Sequence, residues 1–178
     1  HLAGLKNLRW LFLGGIPITD KGLESLAELI NLQVLDLRTT RITDAGLVHL
    51  AGMTYLLALD LSGTRITGDG LMHLAGLTNL EDLLLLQIRI TDAGVKHLAG
   101  LTNLQRLNLS GREVTGEGLQ HLAKLTNLQE LVLWGSQIRD EDLEKLTGLT
   151  KLQRLDLSGA ELTVAGLEKL QKALPGCK

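Results

Sequence analysis

Leucine recurs in this chain at intervals that repeat every 24 residues. Each repeat opens with an apolar residue and places leucines three, six and eight residues further on. The opening residues are Leu5, Leu29, Met53, Leu77, Leu101, Leu125 and Leu149. Around the last two leucines of each set, apolar and polar residues alternate, as in residues 106–110 (RLNLS). This period-two alternation predicts a short strand with one buried face in every repeat.

A helical pattern follows each predicted strand. In residues 43–53, Leu47, Leu50 and Met53 recur at helical spacing. Threonine precedes this pattern at positions 19, 43, 67, 91, 115 and 163, where an N-cap hydroxyl is favoured. Asp20, Asp44 and Asp92 follow in the first turn, where negative charge suits the helix dipole. Glycines at 52, 76, 100 and 148 predict left-handed helix ends.

The L-x-x-L-x-L pattern resembles a leucine-rich repeat, and the resemblance covers essentially the whole chain. The 24-residue length resembles the bacterial type, which is close to the ribonuclease-inhibitor-like form. It implies one right-handed α/β solenoid of seven strand–turn–helix repeats, with a parallel sheet on the concave face and short helices on the convex face. That type often carries Thr or Asn at the turn after the strand. Here the turn position is Ile16, Thr40, Thr64, Ile88, Arg112, Ser136 and Ala160, so no continuous polar ladder is expected.

The repeat boundaries predict a single leucine-rich-repeat domain over residues 1–178. We expect residues 1–4 to be the end of a truncated upstream repeat, residues 5–172 to be the seven repeats, and residues 173–178 to be a C-terminal cap. Pro175 and Gly176 end the last helix in that cap. Terminal repeats need polar capping, and the N-terminal edge has none, which favours either the C-terminal part of a longer chain or an excised or engineered one.

Side chains on the outer face of the predicted strands vary while the leucines do not. Three of the four aromatic residues, Trp10, Phe12 and Trp134, fall on this face. Exposed aromatic and arginine side chains dominate protein interfaces, so the concave face is predicted to bind a protein partner. The candidate contacts are Trp10, Phe12, Arg38, Leu84, Leu86, Gln87, Arg106, Asn108, Arg112, Val132 and Trp134, centred on repeats four to six. Trp10 and Phe12 have two interpretations: they contact the partner, or an upstream repeat covers them.

Charge and composition narrow the function class. The net charge of −2 and the pI near 6.2 disfavour nucleic acid, and no apolar run reaches the length of a membrane span. The single cysteine, Cys177, weakly favours a reducing, intracellular setting. We expect a monomer that is capable of weak end-to-end association.

The sequence contains no pattern typical of catalysis. The periodic histidines at 49, 73, 97 and 121 would lie on neighbouring helices, too far apart to share one zinc ion, so neither a metal nor another cofactor is expected. No nucleophile elbow or phosphate-binding loop is present. The prediction is therefore a non-catalytic protein-binding module. The alternatives are a structural spacer or self-assembling array, the regulatory arm of a larger multidomain protein, and an engineered repeat binder.

Overall fold

The computed structural model describes residues 4–109 and 113–178, and one parallel sheet organises them. The seven strands run in sheet order β1 to β7: Trp10–Phe12, Val34–Asp36, Ala58–Asp60, Asp82–Leu84, Arg106–Asn108, Glu130–Val132 and Arg154–Asp156. Neighbouring strands pair in a 24-residue register, so that Leu11 lies beside Leu35 and Leu35 beside Leu59. The predicted seven-repeat solenoid is confirmed.

A short helix or 3₁₀ segment returns the chain in each repeat, and in repeat two a helix and a 3₁₀ segment follow one another. The α-helices are Asp20–Glu24 (α1), Asp44–Leu47 (α2), Asp92–Lys96 (α3), Gly116–Leu122 (α4) and Val164–Ala173 (α5). The 3₁₀ segments are Val48–Leu50, Asp69–Leu74 and Asp140–Leu146. Seven or fewer residues per segment suffice in six of the repeats, because each segment has only to carry its apolar residues onto the core before the next strand begins.

The core is a stack of leucines shared between repeats. Leu35, Leu59, Leu83, Leu107 and Leu131 are all buried on the inner side of the sheet. Their equivalents at the ends of the stack, Leu11 and Leu155, are only partly buried, because each has a neighbouring repeat on one side alone. Burial in this fold therefore depends on stacking rather than on any single repeat.

The predicted left-handed helix ends are wrong. Gly52, Gly76, Gly100 and Gly148 are described, and none has a positive φ. A tight turn closes each helix instead, with Met53 N–H donating to Leu50 O at 2.9 Å. Among the described residues, left-handed conformations occur three positions beyond the strand ends, at Gly15, Thr39, Gly63, Gln87, Gly135 and Gly159. The chain reverses there because the strand must leave the sheet within a few residues.

Threonine and asparagine connect the repeats in ways that the sequence pattern only partly indicated. Helix capping is confirmed at Thr115 and Thr163, whose hydroxyls accept N–H groups of the first turn. It is wrong at Thr19, Thr43 and Thr91, whose side chains accept no such hydrogen bond. The turn position forms no continuous ladder: the Thr40 hydroxyl donates to Leu37 O of its own repeat at 2.7 Å. A ladder missed by the sequence analysis lies before the strands, where four asparagine amides donate to a carbonyl of the preceding repeat. They are Asn31, Asn79, Asn103 and Asn127, at 2.8–2.9 Å.

Candidate functional site

Alternation along the strands separates the concave surface from the core. In β4 and β5, Leu83 and Leu107 are fully buried, whereas Leu84 is 37% exposed. Trp134, two residues beyond β6, is 60% exposed. The predicted direction of these side chains is therefore confirmed, and apolar groups reach solvent on the sheet face.

Parallel pairing arranges the concave side chains in rows that cross the strands. The first row is Trp10, Val34, Ala58, Asp82, Arg106, Glu130 and Arg154. The second row is Phe12, Asp36, Asp60, Leu84, Asn108, Val132 and Asp156. Neighbours within a row are separated by about 4.8 Å, the spacing of the strands.

A hollow of about 490 Å³ runs across these rows from β1 to β6. It brings together six of the predicted contact residues: Phe12, Arg38, Leu84, Arg106, Asn108 and Val132. Phe12, at its N-terminal end, is 66% exposed. The lining of the hollow mixes apolar side chains with charged ones, among them Asp36, Asp60, Asp82 and Glu130.

Trp134 lies outside that hollow. It lines a separate groove of about 460 Å³ on the loop side of repeats six and seven, together with Ser136, Arg139, Gly159 and Glu161. Trp10, Leu86 and Gln87 line neither the hollow nor this groove, although all three are exposed. Arg112 lies outside the described residues. The structure therefore brings six of the eleven predicted contacts together in one hollow and places Trp134 in a separate groove.

Charges of the first row pair with one another. Arg106 Nε and Nη2 each donate to a carboxylate oxygen of Asp82 at 2.5 Å, and Arg154 Nη1 donates to Glu130 at 2.6 Å. The hydrogen bonds and the charge of Asp82 raise the pKa of Arg106 above its ordinary value. Arg106 is thus ion-paired with its neighbour in the row, which the sequence analysis did not anticipate.

Carboxylates of the second row close the turns after their own strands. Asp36 Oδ1 accepts the N–H of Arg38 at 3.0 Å, and its Oδ2 lies 3.2 Å from Arg38 Nε. Asp60 and Asp156 accept the N–H groups of Ser62 and Ser158 at 2.9 Å. The sequence already contained a sign of these turns, an aspartate two residues before an arginine or a serine. These bonds explain the repeated aspartate as a turn-forming residue.

Little in the described residues points to other chemistry. Those residues contain no group of three or more His, Cys, Asp or Glu that could hold a metal ion. Within the same ranges, no helix combines the length and the apolar character needed to cross a bilayer.

Comparison with known proteins agrees with this architecture. A family model described as "Leucine Rich repeat" matches residues 28–51, 52–75, 100–123 and 148–170, together more than half of the chain. No curated protein matches the chain. Among solved structures, an internalin (inlF) from Listeria monocytogenes is 29% identical with a TM-score of 0.82, and covers 99% of this chain and 48% of its own. Internalin C2 from the same organism is 30% identical with a TM-score of 0.72, and covers 94% of this chain and 79% of its own. The chain thus spans about half the length of the first of these structures.

Proposed function

The chain belongs to the leucine-rich repeat family, and from this premise we propose that it is a non-catalytic module that binds a protein partner through its concave face. Proteins with this fold are generally protein-interaction scaffolds. The partner contacts would be the predicted set from Trp10 to Trp134, within one domain over residues 1–178. The observation that carries the proposal is the exposure of large apolar side chains on a sheet face where Arg106 pairs with Asp82 and Arg154 pairs with Glu130.

Paired charges support an apolar contact. Guanidinium and carboxylate groups that already neutralise each other add little to affinity, because the partner need not match them. Phe12, Leu84, Leu86 and Trp134 stay exposed among the residues that the structure describes. Such apolar patches with a polar rim are characteristic of interaction sites.

A partner that contacts both ends of the proposed surface must be large. Phe12 lies in β1, and Trp134 follows β6, five strand spacings away. At about 4.8 Å per spacing, this separation is about 24 Å along the sheet. A folded domain or a long peptide can contact both ends, whereas a small metabolite cannot.

The test compares two aromatic residues of similar exposure. Trp134→Ala removes the aromatic group from the proposed surface, and Tyr55→Ala removes one of 59% exposure that precedes β3 and lies off both rows. Proteins captured by the wild-type chain are identified by mass spectrometry, and the affinity of each purified candidate is measured by calorimetry. We expect Trp134→Ala to weaken binding by about 30-fold, which corresponds to about 2 kcal/mol. Tyr55→Ala should change it by less than about twofold.

A second variant tests the concave face at another position, in case the interface tolerates the loss of Trp134. Leu86→Arg places a charge on the concave side of repeat four and is expected to reduce the same affinity at an unchanged melting temperature. A partner that binds wild type, Trp134→Ala and Leu86→Arg equally well would contradict the proposed surface.

A further inference from the structure

Three arginines line the loop edge of the solenoid, outside the surface proposed above. Arg41, Arg65 and Arg89 occupy the same position in repeats two, three and four, and all three are exposed. We call them the arginine stripe. We propose that this stripe binds a short acidic segment of a protein partner.

Backbone hydrogen bonds hold the stripe together. Arg41 N–H donates to Ile18 O at 2.8 Å, and Arg65 N–H donates to Ile42 O at 2.9 Å. Arg89 lies in a parallel bridge with Thr67. Arg65 is likewise bridged to Thr43, so the three arginines lie in consecutive repeats whose main chains are hydrogen-bonded to each other.

Two of these three charges have no acidic partner in residues 4–109 and 113–178. Arg89 donates to Glu113 at 3.0 Å, whereas neither Arg41 nor Arg65 forms an ion pair there. The aspartates of the same edge are engaged elsewhere: Asp20 and Asp44 each accept two hydrogen bonds, from Thr43 and Thr67 respectively. Like charges side by side destabilise a sheet, so the fold itself gives no reason for the stripe.

Repetition does not explain the stripe either. In the other four repeats the same position is Pro17, Glu113, Gln137 and Glu161. The positive charge is therefore local, in a chain with a net charge of −2, and acidic residues follow it along the same edge.

This pattern favours one kind of ligand. The stripe spans two repeat spacings, about 10 Å, which matches about three residues of an extended peptide. Arginine pairs with carboxylates in a two-pronged geometry. A long polyanion such as nucleic acid would continue past the stripe and meet Glu113 and Glu161. A run of three or four acidic residues fits better.

The experiment uses a peptide of four consecutive glutamates flanked by Gly-Ser, and the same peptide with glutamines as the neutral probe. Binding to the full chain is followed by NMR, including the arginine side-chain Nε–H signals. We expect the glutamate peptide to shift the Nε–H signals of Arg41 and Arg65, with a weaker effect as salt increases. The glutamine peptide should leave them unchanged.

Two double variants that change the net charge equally distinguish an effect of the arginine stripe from an effect of net charge. Arg41→Glu/Arg65→Glu should weaken peptide binding at least tenfold. Lys96→Glu/Lys124→Glu makes the same change in charge on exposed convex lysines and should alter binding less than twofold. Equal losses in the two double variants, no binding of the glutamate peptide, or tighter binding of a thymidine oligonucleotide to the stripe would each overturn the proposal.

The outcome is independent of the concave face. Trp134→Ala should leave binding of the glutamate peptide unchanged, because Trp134 lies in repeat six, beyond the stripe. Failure of the stripe would therefore not be confused with failure of the concave surface, which the Trp134 and Leu86 variants test separately.

Discussion

The carboxylate of Asp142 occupies the space above Gly116 of the preceding repeat, so that any side chain at position 116 would overlap it. In four other pairs of repeats the arrangement is reversed: the aspartate is in the first repeat and the glycine in the second. These pairs are Asp20 with Gly46, Asp44 with Gly70, Asp92 with Gly118, and Asp140 with Gly166. One carboxylate thus fills each of these spaces, whichever repeat supplies it.

In both arrangements the carboxylate accepts the backbone N–H of the residue that precedes a helix or 3₁₀ segment. Asp20 accepts the N–H of Thr43 at 2.8 Å and its hydroxyl at 2.7 Å. In repeat six, Arg139 replaces that threonine, and Asp142 accepts its N–H at 3.1 Å while pairing with Lys145 at 2.8 Å. The departure of repeat six from the common pattern is therefore an exchange of two positions.

This exchange predicts strong coupling between positions 116 and 142. Gly116→Asp alone brings two carboxylates into one space, and Asp142→Gly alone leaves the Arg139 N–H without its acceptor. We expect each single change to lower the free energy of unfolding by roughly 2 kcal/mol. The double change Gly116→Asp/Asp142→Gly restores the common arrangement and should fall within about 1 kcal/mol of wild type. Urea denaturation measures all four proteins, and simple additivity of the two losses would contradict the exchange.

Glycines that lie against an aspartate should tolerate alanine less well than glycines with open space around them. At Gly46 a methyl group would overlap the Asp20 carboxylate, whereas at Gly52 it would meet nothing within 4 Å. We expect Gly46→Ala to destabilise the chain by roughly 2 kcal/mol or more. Gly52→Ala should be neutral or stabilising by about 0.5 kcal/mol, because Gly52 has no positive φ. Thermal melts of the two variants test this difference, and similar melting temperatures would contradict the prediction.

Backbone strain after β2 predicts a stabilising substitution. Thr39 is β-branched and has φ of 54°, a conformation that glycine adopts at the equivalent Gly63, with φ of 66°. Thr39→Gly should stabilise the chain by about 0.5–1 kcal/mol after the greater flexibility of unfolded glycine is counted. The reverse change, Gly63→Thr, should destabilise it by roughly 1–3 kcal/mol. Chemical denaturation midpoints would show shifts of opposite sign, and a lower midpoint for Thr39→Gly would refute the strain.

We expect the folded chain to lose stability in acid, because some of its carboxylates accept hydrogen bonds only when the chain is folded. The side-chain and backbone hydrogen bonds of Thr163 lower the pKa of Asp140, and those of Ser158 lower the pKa of Asp156. Because these pKa values are lower in the folded chain, their stabilising effect is present above the ordinary value of 3.8 and is lost as the pH falls through the folded values. We expect Asp140→Asn to have a lower melting temperature than wild type at pH 7 and a smaller drop between pH 5 and pH 2.5.

The control for this pH dependence is Asp69→Asn, because the side chain of exposed Asp69 forms no ion pair in the described residues. Its pH profile should follow that of wild type. If Asp140→Asn and Asp69→Asn had the same profile, the hydrogen bonds to Thr163 would not be the cause.

The period of the leucines and the alternation around them were sufficient to predict the seven repeats, the parallel sheet and the exposure of Trp134 and Leu84. Both are local properties: a strand turns successive side chains to opposite faces whatever lies beside it. Contacts between residues 23 to 25 positions apart depended on the tertiary structure, because they follow from how closely neighbouring repeats stack. Stacking decided that Asp20 bonds to Thr43 across repeats, that Arg106 pairs with Asp82, and that Trp134 lies apart from the hollow containing Phe12 and Leu84.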